Sequence, residues 1–82
     1  MTDDQLSENL VQFLAAHFSL ELTEFNSSTL LFSDGLLDSF SMVEVVSWLE
    51  DTSGIKFGVM DINLQNLDSV QKMVNYVKSK QS

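Results

Sequence analysis

Apolar residues near the start of the chain recur every three or four positions. Leu6, Leu10, Phe13, Leu14 and Phe18, with His17 beside them, fall on one helical face. The spacing predicts an amphipathic helix over residues 3–18. Thr2 and Gln5 fit a capping box, and Asp3 and Asp4 favour the helix dipole in the first turn. Over residues 19–37 the period is lost. Leu20, Leu22, Phe25, Leu30, Leu31, Phe32, Leu36 and Leu37 are interrupted by Asn26-Ser27-Ser28-Thr29 and Ser33-Asp34-Gly35, which is turn chemistry. This predicts a long loop packed down by its own side chains, with room for a short helical turn.

A second helix is predicted over residues 39–53. Phe40, Val43, Val46 and Leu49 mark one line, and Met42 and Val45 widen it. Asp38 is a good N-cap, and Gly54 is a natural stop. The β-branched Val43, Val45 and Val46 make a strand the competing reading, but length and both end signals favour helix. Residues 55–67 connect, with Gly58 as a breaker and a short helix around residues 61–66. Val70, Met73, Val74 and Val77 predict the last helix over residues 69–80, opened by a second capping box of Asp68 and Gln71. The expected fold is all-α: a small four-helix bundle of three longer helices and one short, forming a single domain over residues 1–82.

Composition narrows this further. With 44% hydrophobic residues in 82, the chain is not a disordered acidic tail. Cys 0 excludes disulfides, thiolate metal sites and a cysteine nucleophile, so one packed core must hold the domain. The net charge is -8 and there is no arginine. Counterion release needs clustered Lys and Arg, so nucleic acid is a poor partner, and an anionic membrane surface is disfavoured too. The charge is uneven. Residues 1–51 hold ten acids and no Lys, whereas residues 52–82 hold two acids and Lys56, Lys72, Lys78 and Lys80. An acidic face in the first half is expected, complementary to basic patches on partner proteins. The acidic Met1-Thr2-Asp3-Asp4 does not resemble a signal peptide, and apolar runs are too short for membrane insertion. A cytoplasmic, free-standing monomer is expected.

Few residues offer chemistry. The single histidine, His17, lies on the apolar side of the first helix and reads as structural, and Gly-x-Ser-x-Gly is absent, so a serine hydrolase is not supported. Asp34-Gly35-Leu36-Leu37-Asp38 puts Leu where a calcium loop needs oxygen ligands, so no metal site is expected. There remains Gly35-Leu36-Leu37-Asp38-Ser39-Phe40. It would place Ser39 exposed on the first turn of a helix, beside free amides that favour a phosphate, with a carboxylate next to it. That suits a Ser receiving a phosphate-linked group. It also suits a plain helix cap, and on local chemistry alone that reading prevails, because Asp-Ser before a helix is common.

This segment, followed by Val43-Glu44 and closed by Leu49-Glu50, resembles the modification site of acyl and peptidyl carrier proteins. The stretch Gly-Leu-Leu-Asp-Ser-Phe is most similar to stand-alone D-alanyl and other aminoacyl carrier proteins. The resemblance extends over almost the whole chain, including the entry Leu67-Asp68-Ser69-Val70 into the last helix. It implies that Ser39 carries 4′-phosphopantetheine, taken from coenzyme A, and that Asp38 helps present it to a phosphopantetheinyl transferase. It implies a carrier that holds an acyl or aminoacyl thioester without catalysing anything itself. The helix after Ser39 would be read by partners through Phe40, Met42, Val43, Glu44, Glu50 and Asp51. Those partners would be an adenylating ligase or acyltransferase and a downstream transferase or synthase. Two positions depart from many fatty-acid carriers: Ser41 stands where an acid is usual, and Trp48 where a small residue is common. A crowded core of Leu and Phe further suggests a short or polar cargo. The alternative is an unmodified acidic helical interaction module.

Overall fold

A computed structural model describes residues 3–81, with the side chain of Asp3 outside the description. Four α-helices follow one another: α1 (Asp3–His17), α2 (Ser39–Ser53), α3 (Leu64–Leu67) and α4 (Val70–Gln81), with a 3₁₀ turn at Val59–Asp61 before α3. The expected bundle of three longer helices and one short is therefore the observed architecture. Thr2 of the first capping box lies outside the described residues.

In α1 the buried positions are Leu6, Leu10 and Leu14, each four residues after the last, with Phe13 half-buried beside them. The helix stops without a glycine. Ser19 takes the left-handed conformation (φ 58) and the Leu20 amide reaches back to the Ala15 carbonyl at 3.0 Å, satisfying an end carbonyl. The loop that follows contains no helix among its described residues. It is a chain of turns, one of them locked by Asn26, whose side-chain oxygen accepts from the Ser28 amide at 2.8 Å. Phe25, Leu31 and Leu37 are buried and pin the loop onto the core, whereas Leu22 and Leu30 are exposed.

The buried face of α2 is Val45, Val46 and Leu49, with Met42 half-buried at its edge. Phe40 and Val43, expected on the inner line, point outward and are 84% and 66% exposed. The apolar residues of this helix outnumber the core positions, so a line drawn through them by spacing mixes two faces. Gly54 ends the helix in the left-handed conformation (φ 73), donating to the Glu50 carbonyl at 2.9 Å.

The start of α4 differs from the sequence expectation. Asp68 does not cap this helix. Ser69 does, its hydroxyl accepting from the Lys72 amide at 3.1 Å. Asp68 is turned the other way, into the loop, and both residues are buried. From there Val70, Met73, Val74, Tyr76 and Val77 complete the core against α1 and α3. Burial, and after it the neighbouring Asp61 carboxylate, pushes the Tyr76 hydroxyl up to about 12.

Candidate functional site

The site is built at the junction of the loop and α2. Gly35 adopts φ +84, a conformation open to glycine and strained for other residues, and turns the chain toward the helix. Leu37 is buried and its amide donates to the Leu31 carbonyl at 2.9 Å, so the loop exit is tied to its own buried middle. Asp38 then stands in extended conformation as the N-cap of α2. Its Oδ1 accepts from the Ser41 amide and the Ser41 hydroxyl, both at 2.9 Å. The Ser41 amide, then the Ser41 hydroxyl, hold the Asp38 carboxyl below its ordinary range, so it is an anion at neutral pH.

Ser41 gives two hydrogen bonds to the capping carboxylate. With Asp38 occupied by Ser41, the hydroxyl of Ser39 is left exposed and makes no side-chain hydrogen bond among the described residues. It sits on the first residue of a 15-residue helix. The amides of that first turn would offer positive potential to an anionic group placed there. An exposed hydroxyl at a helix N-terminus, with a neighbouring carboxylate already bonded elsewhere, fits a phosphodiester-linked group. No group of three or more metal-ligating side chains occurs among the described residues.

The remaining α2 residues singled out by the sequence separate into two sets. Phe40, Val43, Glu44 and Asp51 are exposed. Met42 and Glu50 are half-buried. Glu50 has a structural partner, accepting from the Phe57 amide at 2.8 Å. Glu44 lies 3.0 Å from His17 Nε2, so the exposed His17 is more than a packed residue: it bridges α1 to α2. One turn further, Trp48 stacks on Phe13 with centroids 4.9 Å apart, and Phe13 in turn stacks on His17 at 5.1 Å. These two rungs border an open surface groove lined by Phe13, His17, Glu44, Ser47, Trp48 and Asp51.

Other residues take roles that the sequence did not assign to them. Asp68 holds the loop from beneath, through bonds to Phe32 and Ser33. Its buried position left a trace only as the second Asp-Ser pair of the chain. Val59 and Met60 are 88% and 87% exposed in the 3₁₀ turn, an apolar pair that spacing could not identify because the segment has no period. None of the described helices is long and apolar enough to cross a membrane.

Two comparisons bear on this geometry. Residues 8–77 match the sequence profile of the phosphopantetheine attachment site family. An acyl carrier protein from Lactobacillus johnsonii is 28% identical over 82 residues, a span covering 100% of both chains. A domain of that family bears covalent 4′-phosphopantetheine and works with transferases and synthases as a carrier rather than as a catalyst. A match over most of the length, on a helical bundle that presents an exposed serine after a capping aspartate, leaves one conclusion: the chain belongs to the phosphopantetheine attachment family and is a carrier protein.

Proposed function

We propose that Ser39 is the residue that carries the 4′-phosphopantetheine arm, and that all 82 residues act as one carrier domain. The observation that supports this most is the division of labour at the start of α2: the Asp38 carboxylate is taken by Ser41, and the Ser39 hydroxyl stands free in solvent. In the loading step the Ser39 oxygen attacks the pyrophosphate of coenzyme A, held by a phosphopantetheinyl transferase. A phosphodiester to Ser39 forms, the bond to the adenosine bisphosphate half breaks, and the serine proton passes to a base of the transferase. The arm, once attached, supplies the thiol that a cysteine-free chain lacks, and the thiol holds cargo as a thioester. The chain's own contribution is to present the arm and keep the phosphate end at the helix N-terminus.

The cargo is a short or polar acyl group, such as an amino acid. Leu10, Leu14, Leu31, Leu49, Leu67 and Met73 fill the interior at 0% exposure, and the groove beside Trp48 lies on the surface. An adenylating ligase or acyltransferase loads it and a downstream transferase or synthase accepts it. Partners meet Phe40 and Val43 as apolar contacts and Glu44 and Asp51 as charges, with Met42 and Glu50 supporting that face from its half-buried edge. The absence of cysteine suits a cytoplasmic setting.

The direct test is the intact mass after incubation with a phosphopantetheinyl transferase and coenzyme A. The wild type is expected to gain one arm and Ser39→Ala none. A gain that survives Ser39→Ala would move the site elsewhere, and no gain on the wild type would remove the reading altogether. For cargo, thioesters of long and short chains are expected to hydrolyse at similar rates, and strong protection of the long chain would show that the bundle admits it. For docking, charge reversal at Glu44 and Asp51 is expected to slow association with the loading ligase and flatten its salt dependence.

A further inference from the structure

The Asp68 side chain accepts three hydrogen bonds from the loop, and it lies far along the sequence from the site it supports. Its Oδ1 accepts from the Phe32 amide at 2.9 Å and the Ser33 amide at 3.0 Å. Its Oδ2 accepts from the Ser33 hydroxyl at 2.5 Å. Its carbonyl accepts from the Leu31 amide at 2.6 Å. Three consecutive loop residues are therefore bound by one residue of the α3–α4 junction. Just before them, the Gln71 amide donates to the Ser27 carbonyl at 2.9 Å. The loop has no helix of its own to satisfy these amides, and part-buried amides left open would be costly.

The bound residues connect directly to the start of α2. Leu31, held by Asp68, accepts from the Leu37 amide at 2.9 Å, and Phe32 accepts from the Gly35 amide at 3.2 Å. Leu37 is the residue before Asp38. Between the Asp68 latch and the N-cap of α2 the backbone thus has a hydrogen-bonded closure and no free segment longer than a turn. Asp68 is 5% exposed, so water competes poorly for its oxygens.

We infer that Asp68 is a positioning residue for phosphopantetheine transfer: it latches residues 31–33 to the α3–α4 junction and so holds the Gly35–Ser39 approach in the one arrangement that the transferase recognises. This rests on the assignment of Ser39 as the attachment residue. The expected consequence is a change in population rather than in chemistry. With the latch removed, the competent arrangement is a fraction of the ensemble, and apparent affinity falls by that fraction. The rate at saturation is kept, because binding selects the latched form.

The test is steady-state transfer from coenzyme A by a phosphopantetheinyl transferase, with the carrier as the varied substrate, at a temperature where circular dichroism shows each variant folded. Asp68→Ala is expected to raise KM for the carrier about tenfold while kcat stays within about twofold, the signature of a competent fraction near one in ten. Hydrogen exchange at the Phe32 and Ser33 amides should quicken in parallel. Asp68→Asn keeps one oxygen for both amides and is expected to recover most of the wild-type KM. Should Asp68→Ala not fold, Ser33→Ala removes only the hydroxyl bond and is expected to raise KM by about two- to threefold. Wild-type KM in a folded variant whose Phe32 and Ser33 amides have lost protection would overturn the inference, and so would a loss confined to kcat. A modified Ser39→Ala control would instead overturn the attachment assignment, so the two failures are told apart.

Discussion

The chain contains the dipeptide Asp-Ser before a valine- or phenylalanine-led helix twice, and the two copies do opposite things. At Asp38-Ser39-Phe40 the aspartate caps the helix and the serine is exposed. At Asp68-Ser69-Val70 the serine caps the helix, the aspartate faces backward into the loop, and both are buried. The helix begins one residue later relative to the motif in the second copy: α2 starts at the serine, α4 at the residue after it. A shift of one residue rotates a side chain by about 100° around a helix, enough to exchange a solvent-facing position for a buried one. The same two residues thus yield an exposed serine, the proposed attachment residue, in one place and a buried carboxylate that holds the loop in the other. What distinguishes them is which side of the incoming helix the rest of the fold covers.

The largest expected contrast is between the two serines as acceptors. Transferase and coenzyme A should label wild type and Ser69→Ala alike and leave Ser39→Ala unlabelled in intact mass spectrometry. Labelling at Ser69 would end the distinction. Next comes stability. Removing the Asp68 carboxylate leaves two part-buried loop amides and a hydroxyl without their charged acceptor, so Asp68→Ala is expected to lose about 2 kcal/mol in urea denaturation. Asp38→Ala, at an exposed cap, should lose clearly less. Equal losses would mean that burial is not what separates the pair.

A third contrast appears with acid. Burial works to raise the Asp68 carboxyl, but bonds from the Ser33 hydroxyl, the Ser33 amide and the Phe32 amide outweigh it, and the result lies below the ordinary value of 3.8. A carboxyl lowered by folding contributes stability that is complete above its unfolded value and is lost as pH falls through the folded one. The stability difference between wild type and Asp68→Asn should therefore be constant near neutrality and shrink below about pH 4. A difference that grows in acid would reverse the sign of the argument. The smallest effect concerns the caps. Ser69→Ala is expected to cost about 1 kcal/mol through loss of the α4 N-cap, while Ser39→Ala should leave the denaturation midpoint unchanged.

Much of this was legible in the chain. The four-residue recurrence of Leu6, Leu10 and Leu14, the Asp38 cap and the Gly54 stop locate α1 and α2 to within a residue, because helix periodicity and end chemistry are local. The Asp68–Gln71 box was misleading for a related reason: local chemistry permits either Asp68 or Ser69 to cap. The choice is made by Phe32 and Ser33, more than thirty residues away. In α2 the apolar line through Phe40 and Val43 likewise obeys the spacing of a core face, yet both side chains are exposed. Repeated steps of three drift around the helix, so the line runs from the exposed face at Phe40 to the buried one at Leu49.

By itself the sequence determined the three longer helices to within a residue, the acidic first half and the motif around Ser39, since each depends on near neighbours or on charge counted along the chain. Only the tertiary structure decided that Asp68 serves the loop rather than its own helix, that Glu44 leans on His17 while Glu50 holds the Phe57 amide, and that Trp48 stacks on Phe13. The physical reason is shared by all three. A buried or partnered side chain takes its role from groups brought beside it by packing, and those groups are distant in sequence, so no local pattern records them.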